Sequence, residues 1–182
     1  MNIFYLDHDP QVCAKMHLDK HVVKMIIEYA QLLSTAHRLC DGVSVIANTA
    51  SGRKQKQWVL HDDRESVLYK ATHSNHPSAK WARDSNENYV WLYNLFCFLC
   101  DEYTYRYERK HMTDLKLRNI LSRVPMNIDK KSFTPPWPAM PDEVKINDDS
   151  LASYRNYYIQ SKASFARWTK REIPFWFTLK AG

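Results

Sequence analysis

The feature that most constrains the fold is a long stretch near the N-terminus, residues 10–39, in which apolar residues recur with helical periodicity. They cover most of the helical circumference, and a helix of that kind is buried rather than lying on a surface. Asp9 before Pro10 is a good helix start, and Gly42 is a good stop. The sequence therefore predicts one long buried helix, with a bend near Asp19.

Composition narrows the fold class further. The 182 residues include only three glycines and are 13% aromatic, which disfavours disorder, repeats and glycine-rich phosphate loops. The length suits one domain with its own core. We therefore expect a mainly α protein, a compact single-domain helical bundle over residues 1–182 that surrounds the buried N-terminal helix.

The other elements follow from local pattern. Further helices are predicted over residues 78–111, in two pieces around 84–86, and over 114–122 and 150–170. A proline-rich stretch, 124–149, should be an ordered wrapping loop. Two shorter segments complete the prediction. An extended or β-strand segment is expected at 3–6, and an exposed polar loop at 48–57.

Charge and cysteine content indicate the compartment and the partner. Lys and Arg number 26 against 20 Asp and Glu, and the basic residues cluster at 53–56 and 155–171, which favours DNA as a partner. There is no secretory signal and no long apolar run, so we expect a cytoplasmic protein without a membrane span. Cys97 and Cys100 lie on one apolar helical face and are predicted to be buried thiols. The oligomeric state stays open.

One strip of the long helix is polar. Its members fall within an arc of roughly 100° on a helical wheel, which places them on one face. They are His17, Lys20, His21, Lys24, Glu28, Gln31 and Thr35. On an otherwise buried helix such a strip predicts a cleft. The alternative is a solvated helix edge on which Lys24 and Glu28 form an incidental ion pair.

In a cleft, the strip predicts acid–base and nucleophilic chemistry. Glu28 would be the general acid and base, Lys24 an amine nucleophile, and His21 would orient the pair or exchange protons. The polar turn at 72–77 would supply a second wall. The residues predicted to contact substrate are His17, Lys20, Gln31, His73, Asn75, His76, Trp81 and Arg83.

A metal-dependent site is the alternative to a site that needs no cofactor. The pair His61-Asp62 is similar to the HD element of metal-dependent phosphohydrolases, with His37 and Asp101 as possible further ligands. A zincin is excluded because Leu18 stands where HExxH would have its glutamate. The ligands available for a divalent metal would come from His17, His21, His61, Asp62, His73 and His76.

Three segments, 2–10, 19–25 and 72–78, resemble an uncharacterised protein family encoded by tailed phages. The resemblance covers most of the chain. It implies a setting, viral DNA metabolism or host takeover in the bacterial cytoplasm, and it implies no reaction.

A second, weaker resemblance rests on His21 and Glu28, seven residues apart on a long helix. The spacing is similar to that in phage pyrimidine-dimer DNA glycosylases of the endonuclease V type, which are small, basic and all-helical. The resemblance implies attack on the sugar by the α-amine of a small residue exposed when methionine is removed. Asn2 is a poor residue for that removal, and Ile27 and Gln31 stand near the positions of the family's arginines. We therefore expect Lys24 to supply the amine.

These observations predict a phage-encoded enzyme that acts on nucleic acid, best described as a DNA glycosylase/lyase, a DNA-repair hydrolase for damaged or modified bases. A metal-dependent phosphohydrolase or nuclease is one alternative. A non-catalytic phage protein that binds a host factor or nucleic acid is the other.

Overall fold

Helices make up most of the chain in the computed structural model, which describes residues 1–48 and 51–178. The mainly α prediction is confirmed. The helices are α1 Pro10–Met16, α2 Asp19–Asp41, α3 Arg64–Val67, α4 Pro77–Asp84, α5 Asn86–Tyr107, α6 Met112–Leu121, α7 Ser150–Lys162 and α8 Phe175–Thr178, and the strands are β1 Val43–Asn48 and β2 Lys54–Val59. In this part of the chain, no helix is long and apolar enough to cross a membrane.

The predicted N-terminal helix is divided into α1 and α2. Asp9 caps α1 as expected, but His17 and Leu18 are extended, with ψ angles of 130° and 157°. The buried guanidinium of Arg106 explains the break. It donates to the carbonyl oxygens of Lys15 and His17 at 3.0 and 2.9 Å, which are groups that the end of α1 leaves unpaired. His17 therefore does not lie on the long helix.

The long helix α2 packs against α4, α5 and α6, which places it at the centre of the molecule. Its burial is one-sided in the first half, where Val23 and Ile27 remain 42% and 41% exposed. This differs from the prediction of a helix buried on nearly all sides. The elements formed by residues 1–48 and 51–178 leave these two side chains partly uncovered, so the exposed face of α2 includes apolar groups beside Lys24 and Glu28.

A two-stranded antiparallel hairpin occupies most of the segment predicted as a loop. Val43 pairs with Val59 and Asn48 pairs with Lys54, and residues 49–50 lie outside the described part. The segment is exposed, as predicted, but it forms strands. Residues 54–57 include no apolar side chain, so β2 lacks the alternation that signals a strand, although Val43, Val45 and Ala47 alternate along β1. Gly42 precedes the hairpin, and a Cβ there would lie 2.4 Å from the carbonyl oxygen of Arg38.

The C-terminal third wraps around the helices. The proline-rich loop contains one short 3-10 turn, Asp142–Val144, and is held by Trp81, whose indole donates to the Thr134 carbonyl oxygen at 2.9 Å. Helix α7 ends at Lys162, earlier than predicted. The following chain is drawn onto the α1–α2 junction, where the Trp168 indole donates to the carbonyl oxygen of Met16 at 2.9 Å.

Candidate functional site

The extended N-terminal segment carries the amino group of Met1 to the long helix. Residues 3–6 are buried, and the Phe4 amide donates to the hydroxyl of Tyr29 at 3.2 Å. Farther along, Arg155 donates to the carbonyl oxygen of Leu6 at 2.9 Å. Tyr29 follows Glu28 on α2, so this anchoring brings the Met1 nitrogen within 3.9 Å of Glu28 Oε2.

Glu28 is paired with two amines. Its Oε1 lies 3.2 Å from Lys24 Nζ, one turn earlier on α2, while its Oε2 faces the Met1 nitrogen. The side chain of Glu28 is 16% exposed and that of Met1 is 5% exposed, whereas the side chain of Lys24 is 70% exposed. A largely enclosed carboxylate between two amines can hold or transfer a proton next to a nitrogen nucleophile.

The turn before α4, residues 72–76, is joined to the same helix α2. Thr35, farther along α2, fastens the turn, since its hydroxyl accepts from the Thr72 amide at 3.2 Å. His73 adopts a left-handed conformation, with φ 49°, and its carbonyl oxygen accepts from the His76 amide at 2.8 Å. Burial lowers the pKa of His76, and the nearby Met1 amine and His73 lower it further, against an opposite effect of Glu28. His76 therefore lies within the electrostatic reach of both Met1 and Glu28.

His17 belongs to a closed hydrogen-bond network away from Glu28. Its Nδ1 donates to the Cys13 carbonyl oxygen at 2.8 Å, so its Nε2 accepts from the Tyr29 hydroxyl, also at 2.8 Å. The residue is fully buried, and this burial lowers its pKa to about 4. The ring is thus a neutral support for Tyr29, and through Tyr29 for the N-terminal segment.

His21 is also held by aromatic neighbours. Its ring stacks on Phe4 with centroids 4.2 Å apart, and its Nδ1 is 2.7 Å from the hydroxyl of Tyr158. Burial lowers its pKa to about 2. No hydrogen bond or ion pair joins His21 to Glu28 within the described residues. Its contacts favour a structural role, so the predicted proton exchange with Glu28 has no contact to support it.

These buried imidazoles predict a pH-dependent stability. His17, His21 and His37 have folded pKa values of about 4, 2 and 4, all below the unfolded value of about 6.5. The unfolded state therefore binds more protons below about pH 6.5. We expect the free energy of unfolding to fall by up to about 1.4 kcal/mol per pH unit for each histidine as the pH drops from about 6.5 towards 5. Urea unfolding measured over this range tests the slope.

Two substitutions separate buried from exposed histidines in that measurement. His37→Gln should reduce the slope between about pH 6.5 and 5, whereas His61→Gln, at an exposed position, should leave it unchanged. A wild-type protein whose stability is constant across this range would contradict the expectation.

The remaining predicted contact residues are dispersed. Lys20 lies over the ring of Phe165, 4.5 Å from its centroid, and Trp81 is fully buried. Asn75 is exposed in the turn, and Gln31 is half-buried one turn after Glu28. Arg83 lines a separate cavity near the end of α4. The structure thus pairs Lys24 with Glu28, places Gln31 one turn later on α2, and ties the turn that carries His73, Asn75 and His76 to the same helix. It places His17, Lys20, Trp81 and Arg83 elsewhere.

Two contributors were missed from the sequence, the Met1 amine and Tyr29. The sequence gives only a weak indication of either contribution. Tyr29 directly follows Glu28, and the apolar run at 3–6 had to be buried somewhere. Nothing local to either segment indicates that they meet.

The side chains proposed as metal ligands do not lie together at one place in the structure. Within the described residues, no group of three or more His, Cys, Asp or Glu side chains is placed to hold a metal ion. Asp62 instead accepts from Arg64 Nη2 at 2.6 Å, and this bonding lowers its pKa to about 2. Both ring nitrogens of His37 are occupied, by Arg64 at 2.9 Å and by the Tyr89 hydroxyl at 2.8 Å. Asp101 pairs with Arg118.

The cysteines are free thiols. Burial raises the pKa of Cys100 far above its usual range and also raises that of Cys97. Both groups are therefore protonated at neutral pH. Cys100 is buried as predicted, whereas Cys97 is only partly buried.

Comparison with protein-family models, with curated proteins and with solved structures gives no match. The functional argument therefore depends on the chain's own geometry.

Proposed function

We propose that this protein is an enzyme acting on DNA, a glycosylase/lyase in which an amine held at Glu28 attacks the sugar of a damaged or modified nucleotide. The observation that carries the proposal is the pairing of the enclosed Glu28 carboxylate with two amines, at 3.2 and 3.9 Å. An amine beside a proton-transferring carboxylate is what imine chemistry at a sugar carbon requires.

Of the two amines, that of Met1 has the better surroundings. The side chain of Met1 is 5% exposed, whereas that of Lys24 is 70% exposed. The Met1 nitrogen also belongs to an extended segment that Tyr29 and Arg155 hold in place, so it is presented to Glu28 in a defined position. In a chain that starts at Met1, we therefore assign the attack to this amine, and Lys24 is the competing nucleophile expected from the sequence.

The proposed reaction balances with the groups present. The nitrogen lone pair forms a bond to C1′ while the bond from C1′ to the base breaks, and the electron pair leaves with the base, which takes a proton from water. The proton lost by the amine passes through Glu28 to the ring oxygen O4′. The sugar then opens, and a protonated imine joins the protein to C1′.

The net charge of the protein and the exposure of side chains beside Glu28 support DNA as the substrate. The chain has a formal net charge of +6, which attracts a polyanion. Lys24 is exposed at the edge of the site and could contact a phosphate, and the flanking Val23 and Ile27 offer apolar surface. A nucleotide taken out of the base stack could then present its sugar to Glu28.

Borohydride trapping on DNA with a single abasic site tests the proposal. The abasic aldehyde bypasses the unknown base specificity, and reduction of the imine leaves a covalent complex visible on a denaturing gel. We expect a complex with the chain that starts at Met1. Extending the N-terminus by a short Gly-Ser segment should abolish the complex, because the extension removes the α-amine from the site.

Lys24→Ala is the matched comparison. It should retain the complex if Met1 is the nucleophile, and it should lose the complex if Lys24 is. Lys20→Ala, one turn earlier and also exposed, is the control for loss of a lysine. Absence of a complex with abasic DNA and with a panel of damaged bases would contradict the proposal and favour a non-catalytic protein.

A further inference from the structure

A second concave region lies at the other end of the α2–α4 pair. It is a cavity of about 620 Å³ lined by Trp58 from β2, Trp137 from the proline-rich loop, and Lys80 and Arg83 from α4. Trp137 is 43% exposed, which is unusual for a residue of this size in an ordered loop. Two indole rings and two cations around one cavity match the needs of a nucleotide, which has a flat base and a charged phosphate.

The backbone under both tryptophans is fixed. Arg38, fully buried, donates to the carbonyl oxygen of Trp58 at 2.9 Å, and the Tyr154 hydroxyl donates to that of Trp137 at 3.0 Å. Their side chains are left to line the cavity. A prearranged ring loses little conformational freedom when a base stacks on it.

The cations of the cavity lack acidic partners. Among residues 1–48 and 51–178, no carboxylate lies within 4.0 Å of Lys80 or Arg83, and Arg83 donates only to the Ala79 carbonyl oxygen, at 2.7 Å. Burial lowers the pKa of Arg83, as expected for a guanidinium that has lost water without gaining an anion. Two acidic side chains also line the cavity, Asp84 and Asp129, but Lys131 pairs with both, at 3.4 and 2.9 Å.

The hairpin extends this surface. Lys54, Lys56 and Trp58 alternate along β2, so they share one face of the strand. Lys56 Nζ lies 5.2 Å from the centroid of the Trp58 ring. A basic strip therefore leads from the hairpin into the cavity.

We infer that this cavity, with Trp58 and Trp137 for stacking and Lys80 and Arg83 for phosphate, binds a nucleotide of the DNA several positions from the one that reacts at Glu28. The inference rests on the proposed function, since it takes DNA as the substrate. His76 at the start of α4 lies by Glu28, and Arg83 near its end lies by Cys40. From Glu28 to Cys40 the helix α2 rises about 18 Å. That length corresponds to about five steps of a B-form strand.

The test measures binding without reaction. The probes are fluorescent duplexes with a tetrahydrofuran abasic analogue, which has no aldehyde. Each is extended on one side at a time by about three or about ten unpaired nucleotides, whose bases are free to stack, and these are the short and the long duplex. We expect Trp137→Ala to weaken binding of a long duplex by roughly 5- to 100-fold and to leave binding of the short one unchanged. Arg83→Gln should weaken the same duplex and reduce the slope of log affinity against log salt by about 0.7 to 0.9.

Two controls accompany these variants. Phe175→Ala removes an aromatic side chain that is 64% exposed on α8, and Arg109→Gln removes an exposed cation after α5. Neither variant should alter how the binding affinity depends on the length of the duplex. Unchanged binding of every duplex by Trp137→Ala and Arg83→Gln would overturn the inference, and so would a wild-type protein that does not bind these duplexes.

The two proposals fail separately. If binding depends on Trp137 but abasic DNA gives no trapped complex, the reaction at Glu28 is wrong and the nucleotide site stands. If the covalent complex forms but Trp137→Ala does not weaken binding of any duplex, the proposed reaction stands and the proposed nucleotide site is wrong.

Discussion

Glu28→Gln is expected to slow formation of the trapped complex with abasic DNA by about 10²- to 10⁴-fold, the usual loss when a general acid or base is removed. Glutamine keeps the size of the side chain and one acceptor oxygen, but it cannot carry the proton between the amine and O4′. It also removes the charge that faces the Met1 nitrogen at 3.9 Å and Lys24 Nζ at 3.2 Å. Single-turnover rates of complex formation measure the effect.

The control for this variant is another carboxylate. Glu143→Gln, at an exposed position in the proline-rich loop, should form the complex at the wild-type rate. Thermal unfolding of Glu28→Gln and of the wild type checks that both are folded at the temperature of the assay, so that a slower rate reports the loss of proton transfer. A wild-type rate for Glu28→Gln would mean that the polar strip of α2 is structural and that the amine reacts without its help.

Arg38→Met is expected to lower the free energy of unfolding by about 3–5 kcal/mol, because one fully buried guanidinium donates to a carboxylate and to several carbonyl oxygens at once. Arg38 is fully buried, and its guanidinium donates to the Glu65 carboxylate at 2.6 Å. It also donates to the carbonyl oxygens of Tyr69, Trp58 and Leu68, at 2.6, 2.9 and 3.0 Å. Methionine would remove this donor from the three carbonyl oxygens, whereas the Glu65 carboxylate would keep the Leu60 amide and Lys70.

Arg123→Met provides the comparison, since Arg123 pairs with Asp63 and both side chains are more than half exposed. Its cost should be about 1 kcal/mol or less. Urea unfolding of the two variants measures the difference. Equal effects would show that the contacts of Arg38 do not hold the 58–69 segment to α2. Because Trp58 belongs to that segment, Arg38→Met should also weaken binding of the long duplex.

The local sequence predicts the helices of this protein wherever buried residues recur at a regular spacing along the chain. The periodicity that predicted α2 arises because one face of the helix meets α4, α5 and α6, and α5 and α6 were predicted for the same reason. The hairpin was missed because residues 54–57 of β2 include no apolar side chain. The sequence predicts a bend near Asp19, and the structure has a full break directly before that residue; the break was not predicted because its cause, Arg106, lies far along the chain.

The candidate site likewise combines contacts within one helix, which the sequence predicts, with contacts between distant segments, which it does not. That Lys24 and Glu28 adjoin on one helix face follows from their spacing, since four residues make about one turn. The approach of the Met1 amine to Glu28, the packing of His21 between Phe4 and Tyr158, and the cavity shared by Trp58 and Trp137 depend on how distant parts of the chain fold together. Helical spacing fixes neighbours within a few residues. Contacts between distant segments depend on how whole elements pack, and no local pattern records that packing.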